Sequence, residues 1–442
     1  MPDTALNLLS RVTCPHCWKH FAPEEFLWVA SHPDLTGDAR LGPEKARRFL
    51  PSRFTATGEA IDARNQPCHE LACPHCHLGV PRAFLEIDPI FMSILGTPGC
   101  GKSFFLAAAT WQLRQLLPNC FKIACSDVDP AANRTLAEYE ESLFLNPEPD
   151  RLIPLADLIR KTELQGELYD SVSYGEHAIN YPRPFMFALR PLTDHPNGES
   201  VRRLARALCL YDNAGEHFLA GADSPSNPVT QHLTRSACLL FMFDPTQDQR
   251  FRQMLMKENP TAAALIAGRN NRQETVLTEA ATRIRRYTGL SATAKHDRPL
   301  IVVVTKQDIW ESFLPDLDAE SPFRQSKQGL SAVDLAVMQK RSAAVRSLLL
   351  RVTPEIVAAA ESLSDKVVFV GVSALGVAPE KIAPTASEWI EPNRAELPAV
   401  RPSTINPRNV ALPFLYGLTL SMPGLVPLMR KKPGSDSISS PS

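Results

Sequence analysis

PIFMSILGTPGCGKSFF, Pro89 to Phe105, joins an apolar run to a Gly-rich turn and then to a segment of helical pattern. Its centre, Gly96-x-x-x-x-Gly101-Lys102-Ser103, matches the phosphate-loop pattern, and the predicted strand before it and helix after it are the context that pattern requires. Each residue type has its own reason to be there. Glycines let successive backbone N–H groups turn towards phosphate oxygens, and a helix N-terminus adds partial positive charge. Lys102 would neutralise the β and γ phosphates, and the Ser103 hydroxyl would ligate Mg²⁺.

Further along the chain, short apolar runs ending in polar or Gly-rich turns recur at 121–127, 184–190, 207–215, 237–244, 299–308 and 366–375. Helical patterns lie between them at 103–117, 131–145, 272–288 and 333–362. Near-continuous apolar strands alternating with helices predict an α/β fold with a mostly parallel sheet covered on both faces. A strand FKIACSD and a helix AANRTLAEYEESLF are expected between the first helix and PFMFALR. From Ile382 to Pro407 the chain is Pro-rich and is expected to wrap the domain surface, and 409–428 supplies a last helix interrupted at Pro423.

Three of the strand ends carry chemistry. In ALCLYDNAGEHF, Asp212 ends a strand, where it can hold magnesium through water, and the Gly215 N–H can sense a γ phosphate. In Thr305-Lys306-Gln307-Asp308, the carboxylate can accept from the N1–H and exocyclic amine of guanine, a donor pair adenine lacks, while the Lys306 stem covers the base. In Ser373-Ala374-Leu375, backbone N–H groups can reach the guanine O6. Taken singly, DxxG is a common turn and TKQD a common strand-to-loop sequence. The inference rests on the ordered set.

With GTPGCGKS, DNAG, TKQD and SAL in that order, the chain resembles the translation-factor-related superclass of P-loop GTPases, the Ras-like group, over roughly residues 88 to 380. The resemblance implies a six-stranded α/β G domain that binds GTP or GDP with Mg²⁺ and has switch segments that respond to hydrolysis. It assigns Gly96, Thr97, Pro98, Gly99, Cys100, Gly101, Lys102, Ser103 and the adjoining Phe104 to phosphates and magnesium. Asp212 and Gly215 fall to the second switch, Thr305, Lys306 and Asp308 to the base, and Ser373, Ala374 and Leu375 to the base loop. More narrowly, the chain is similar to bacterial GTPases that carry an N-terminal zinc ribbon and belong to conflict or defence systems, the double-GTPase or DO-GTPase proteins.

Several positions depart from that family. Thr305 stands where members usually have an Asn that braces the phosphate loop against the base loop. Glu216 takes the place of the glutamine that orients water, and a carboxylate there is repelled by a γ phosphate. His217 is the alternative water-positioning group, and both residues also read as the start of a helix. Pro98 removes an N–H from the loop. The first switch should offer a hydroxyl to Mg²⁺, and Thr162 is chosen for that catalytic role, with Ser171 and Ser173 as competitors and a helix cap as the other reading of Thr162. Slow hydrolysis completed by a partner is the expectation.

Cys14-Pro-His-Cys17 and Cys73-Pro-His-Cys76 are identical tetrapeptides separated by residues 18–72. Random placement of the cysteines would give only about 0.2 such pairs, so the repetition is not accidental. Two CxxC knuckles complete a tetrahedral S₄ shell suited to Zn²⁺. Cys68, His69, His16, His75 and His77 are alternate ligands. A thioredoxin-like reading lacks the strand-helix setting it needs. Residues 1–87 show little periodicity and are expected to be held by metal rather than by an apolar core, followed by a P-loop domain over 88–428 and a disordered tail over 429–442. Arg40, Lys45, Arg47, Arg48 and Arg53 with Phe49 and Phe54 offer a possible nucleic-acid face, against the commoner reading as a solvated surface.

The 442 residues carry 47 basic and 48 acidic side chains, so no global field favours nucleic acid. No apolar run reaches the roughly 18 residues of a membrane span, and the start MPDTALNLLSRVTCPHC lacks the features of a secretory signal. Ten cysteines without a disulfide framework fit a cytoplasmic chain. The leading expectation is a GTP-hydrolysing switch read by a protein partner. The competing ones are a nucleotide-bound scaffold and an ATP-using P-loop protein.

Overall fold

The computed structural model describes residues 8–159, 169–212, 231–258, 271–326, 329–382 and 397–429. Seven strands form its main sheet: β1 (Asp88–Gly96), β2 (Ile123–Asp127), β3 (Phe185–Pro191), β4 (Arg206–Asp212), β5 (Cys238–Phe243), β6 (Leu300–Val304) and β7 (Val367–Gly371). Their order is β2-β3-β4-β1-β5-β6-β7. β4, β1, β5, β6 and β7 are parallel, whereas β3 runs antiparallel to both β4 and β2.

The apolar runs at the centre of the sheet are strands because their side chains alternate between two covered faces. Met92 and Ile94 of β1, Leu208 and Leu210 of β4, and Leu240 and Met242 of β5 share one core with α1 (Lys102–Phe121), α2 (Arg134–Phe144) and the C-terminal helix. Phe241 of β5 and Val302 of β6 point the other way, into a core with α3 (Gln249–Glu258), α4 (Glu274–Thr288), α5 (Leu335–Val352) and α6 (Pro354–Leu363). On that same face of the other half of the sheet, Phe91, Cys209 and Tyr211 are covered by the N-terminal region instead of by helices.

That arrangement corrects the expectation that residues 1–87 lack an apolar core. Val12, Trp18, Phe21, Phe26, Phe84 and Ile87 are buried in one cluster with the sheet residues. The sequence hid this because the strands there are only two to five residues long, too short to show a period.

Other expectations are also revised. The sheet has seven strands where the resemblance implied six, and the additional one is the strand expected at FKIACSD: β2, an edge strand whose Asp127 takes both Nη groups of Arg114 from α1 at 2.8 and 3.0 Å. The helical pattern over 333–362 is two helices broken at Thr353, since a residue before proline is pushed out of the α region and Pro354 suits a helix start. α1 continues past Pro118 because Phe121 is fully buried at its end. The stretch expected to wrap the surface contributes Ala399 and Val400 to the interior, where Leu397–Val400 pairs with Ile153–Pro154 and Glu380–Ile382. α7 (Leu412–Ser421) follows, its Phe414 stacked on Phe105 at 5.6 Å. Among the described residues no helix is long and apolar enough to cross a membrane.

Candidate nucleotide site and metal centre

The end of β1 delivers the chain into the loop Thr97–Gly101, and α1 begins at Lys102. Gly99 and Gly101 have φ of 73° and 93°, left-handed conformations that cost a side-chain-bearing residue energy. Gly96 is required by space: a Cβ there would lie 2.9 Å from both the Met242 Cβ and carbonyl and 2.8 Å from the Cys100 sulfur. The buried Lys102 ammonium donates to the carbonyls of Gly96 and Thr97, each at 3.0 Å, with the Cys100 sulfur at 3.8 Å. The Phe105 amide closes the first turn of α1 on the Gly101 carbonyl at 2.9 Å, and a helix N-terminus at the end of such a loop carries partial positive charge.

Asp212 is the last residue of β4 and opposes Ile94 of β1 in register. The Ser103 hydroxyl donates to its Oδ2 at 3.4 Å, while Oδ1 is buried without a hydrogen-bond partner among the described residues. Burial pushes the Asp212 carboxyl above its ordinary pKa, opposed by Lys102 and by the Ser103 hydroxyl. A buried carboxylate oxygen with no donor, next to a serine hydroxyl, fits a divalent cation held by hard oxygen ligands.

A cavity of about 310 Å³ opens beside the loop. Pro98, Gly99, Cys100, Gly101 and Phe104 form its phosphate-loop side, and Thr305, Lys306, Asp308, Ser373, Ala374 and Leu375 form the other. The two motifs are therefore brought to one pocket at the carboxyl ends of the parallel strands, where open α/β sheets place ligands. The Ser373 hydroxyl donates to Asp308 Oδ1 and accepts the Gly376 N–H at 2.7 Å, so it ties the carboxylate to the base loop. Burial raises the Asp308 pKa, opposed chiefly by that hydroxyl. Lys306 sits at φ 57°, with Nζ 2.8 Å from both Asp244 Oδ2 and the Thr246 hydroxyl.

Residues the sequence reading passed over supply the brace. Gln247 accepts from the Thr97 hydroxyl at 2.9 Å and donates to the Pro98 carbonyl at 3.1 Å, and Asn271 donates to its Oε1 at 2.7 Å. Asp244 caps the short helical turn Pro245–Gln247 and pairs with Lys306. The Thr305 hydroxyl turns away to the Phe243 carbonyl at 3.2 Å. The only signal was position: DPTQ directly follows the apolar run ACLLFMF. Leu155, directly after the strand Ile153–Pro154, and Pro398, in the strand Leu397–Val400 that pairs with it, also line the cavity.

Thr162, Gly215, Glu216 and His217 lie outside the described residues. Ser171 and Ser173 are on the hairpin Tyr169–Tyr174/His177–Pro182, whose Val172 and Tyr181 pack in the N-terminal cluster.

The two CxxC tetrapeptides fold identically. In each, the amide two residues on donates to the first sulfur at 3.3 Å, and the residue after the second cysteine is left-handed, Trp18 at φ 56° and His77 at φ 63°. Cys14, Cys17, Cys73 and Cys76 place their sulfurs within 4.8 Å of one another, and the Cys14–Cys76 and Cys17–Cys73 separations are both 3.7 Å. A tetrahedron with Zn–S of about 2.3 Å has edges of about 3.8 Å, so the four sulfurs fit zinc. Burial pushes the Cys14 thiol well above the ordinary range, a penalty a divalent cation offsets. The alternate ligands are engaged elsewhere: His16 Nε2 with the Gly79 carbonyl at 3.0 Å, His77 with Asp38 at 2.9 Å, His69 with Glu59 at 3.0 Å, and the Cys68 thiol with the Gln66 carbonyl at 3.7 Å. His75 packs edge-on to Phe21. Of the basic residues, Arg48 and Arg53 hydrogen-bond within the region and Arg40 lies over the Tyr174 ring, while Lys45 and Arg47 are exposed.

No family model matches this chain, and no curated protein matches it. Among solved structures, a chain of the signal recognition particle receptor SRb-GTP/SRX complex from Chaetomium thermophilum aligns over 68% of this chain and 97% of its own length, at 15% identity and a TM-score of 0.22. At that TM-score the likeness carries no weight, and the functional reading rests on the residues.

Proposed function

We propose that this chain is a Mg²⁺-dependent GTP-binding and GTP-hydrolysing switch, a P-loop GTPase with a zinc-ribbon module over residues 1–87. The observation that carries the reading is one pocket lined by both the phosphate loop and the Asp308–Ser373 pair. The Lys102 ammonium donates to two loop carbonyls and to the Cys100 sulfur at 3.8 Å, and the long sulfur bond is the one a phosphate oxygen would replace. Ser103 and Asp212 would hold the magnesium, which when bound neutralises phosphate charge. Asp308 accepts from the guanine edge, the Lys306 stem lies against the base, and the Ala374 and Leu375 amides are left to serve its O6, because the Ser373 amide donates to the Arg408 carbonyl at 3.0 Å. Glu216, His217 and Thr162 are the groups proposed to complete hydrolysis. The expected readers are protein partners, in the kind of conflict system that the motif resemblance implies.

Single-turnover phosphate release from GTP tests the enzymatic part. Release above the nucleotide-alone rate that is lost in Lys102→Ala supports it. Tight GTP binding with no release, with or without cell extract, assigns the chain instead to a nucleotide-bound scaffold. Equal competition by ATP removes the guanine assignment.

A further inference from the structure

The first cysteine knuckle and the magnesium-side strand share a buried hydroxyl. Trp18, directly after Cys17, donates its indole N–H to the Tyr211 hydroxyl at 2.9 Å, and that hydroxyl donates to the Pro15 carbonyl at 2.5 Å. Both polar functions of Tyr211 are thus taken by the loop Cys14–Trp18. Tyr211 is fully buried, stacks on His232 at 4.8 Å and lies 6.2 Å from the Trp18 ring. His232 is in turn 6.0 Å from Trp18 and bonded to Ser93, the β1 residue opposite Tyr211, at 2.6 Å.

Tyr211 immediately precedes Asp212, and successive strand residues point to opposite faces. One face of this dipeptide is therefore gripped by the knuckle while the other presents the carboxylate to Ser103. The backbone of Pro15 and Trp18 is folded around Cys14, so a metal that fixes the Cys14 sulfur also fixes this turn: the His16 and Cys17 amides donate to that sulfur at 3.3 and 3.4 Å, and the Trp18 amide to the Cys14 carbonyl at 3.1 Å.

We propose that Trp18 and Tyr211 are positioning residues for Asp212, so that metal at Cys14, Cys17, Cys73 and Cys76 and Mg²⁺-nucleotide at the phosphate loop strengthen one another's binding. The inference rests on the proposed role of Asp212. Coupling of this kind is reciprocal: whatever factor zinc contributes to Mg²⁺-nucleotide affinity, Mg²⁺-nucleotide contributes to zinc affinity. A module that only covers the sheet would strengthen nucleotide binding equally with and without magnesium.

The test uses the full chain and a non-hydrolysable GTP analogue. Zinc affinity, read by competition with a chromophoric chelator, should tighten by about five-fold or more when Mg²⁺ and the analogue are saturating. Analogue affinity is then measured across a Mg²⁺ titration at fixed free zinc for wild type, Trp18→Phe and Tyr211→Phe. Both variants keep an aromatic ring and lose one hydrogen-bonding group. They should bind the Mg²⁺-free analogue as wild type does, show a reduced gain from Mg²⁺, and bring the zinc coupling factor towards one. An unchanged zinc affinity in wild type overturns the coupling while leaving nucleotide binding intact, and so does an equal loss with and without Mg²⁺ in the variants. Failure of zinc-loaded wild type to bind the analogue at all overturns both this inference and the proposed function.

Discussion

Gln247 accepts a hydrogen bond from the Thr97 hydroxyl at 2.9 Å and donates one to the Pro98 carbonyl at 3.1 Å, which makes it the clamp on the phosphate loop. Neither Thr97 nor Gln247 is exposed to water that could replace these bonds. Gln247→Ala leaves the buried Thr97 hydroxyl without its acceptor and frees the part-buried Pro98 carbonyl, a cost of about 1–3 kcal/mol. Nucleotide affinity, read with a fluorescent GTP analogue, should fall on the order of 10-fold. Thr305→Asn should change it far less, since the Thr305 hydroxyl faces the Phe243 carbonyl.

The close approach of β1 to β5 gives a stability prediction. Gly96→Ala places a methyl group against the Met242 backbone as well as the Cys100 sulfur. Side chains can move, but β5 is held by its ladder bonds to β6, so the strands must separate. Overpacking of this kind costs about 1–3 kcal/mol, read as a lowered denaturant midpoint at unchanged slope. The double variant Gly96→Ala/Cys100→Ala should recover only a small part, because the Met242 contacts remain.

In the proposed site, charge neutralisation falls to Lys102 and metal holding to Ser103, and variants separate the two. Lys102→Ala removes the only cation the described loop carries, and GTP affinity should fall at least about 100-fold with or without Mg²⁺. Ser103→Ala should leave Mg²⁺-free binding within about two-fold and remove most of the gain from Mg²⁺. Isothermal titration at several Mg²⁺ concentrations distinguishes the two patterns, and similar losses in both would contradict the assignment of Ser103.

What the sequence made legible followed from local physics. The central strands of the sheet showed as apolar runs because both of their faces are covered, whereas edge strand β2 buries only Ile123, and DNAG, TKQD and SAL were visible because they terminate such runs. What escaped was non-local. Trp18 meets Tyr211 across the interval from residue 18 to residue 211, and Ile153–Pro154 meets Leu397–Val400 through backbone bonds that leave no pattern in either segment. Gln247 sits in a polar turn that could as well have been solvent-facing, and only its approach to Thr97 gives it a role. The helix break at Thr353 was written in Pro354, but α1 shows that proline alone does not decide, since it runs through Pro118.

The base assignment makes a prediction with a definite pH direction. Guanine recognition needs ionised Asp308, and burial holds its pKa above the usual carboxylate value. As pH falls from neutral, Asp308 should protonate earlier than an exposed aspartate, and GTP preference over ATP should decline on the acid side before the ordinary carboxylate range is reached. For the nucleotide-free fold the sign is opposite: with a raised folded-state pKa the native state binds more protons than the unfolded chain, so stability falls as pH rises from the unfolded value through the folded one. Asp308→Asn removes that penalty and cannot titrate. It should therefore be at least as thermally stable as wild type at neutral pH, lose the acid-side decline, and prefer xanthosine triphosphate, whose C2 oxygen accepts from the new amide. Thermal melts at neutral pH check the first outcome and competition titrations with GTP, XTP and ATP between pH 5 and pH 8 check the other two, and an unchanged GTP preference in this variant would remove Asp308 from the base site.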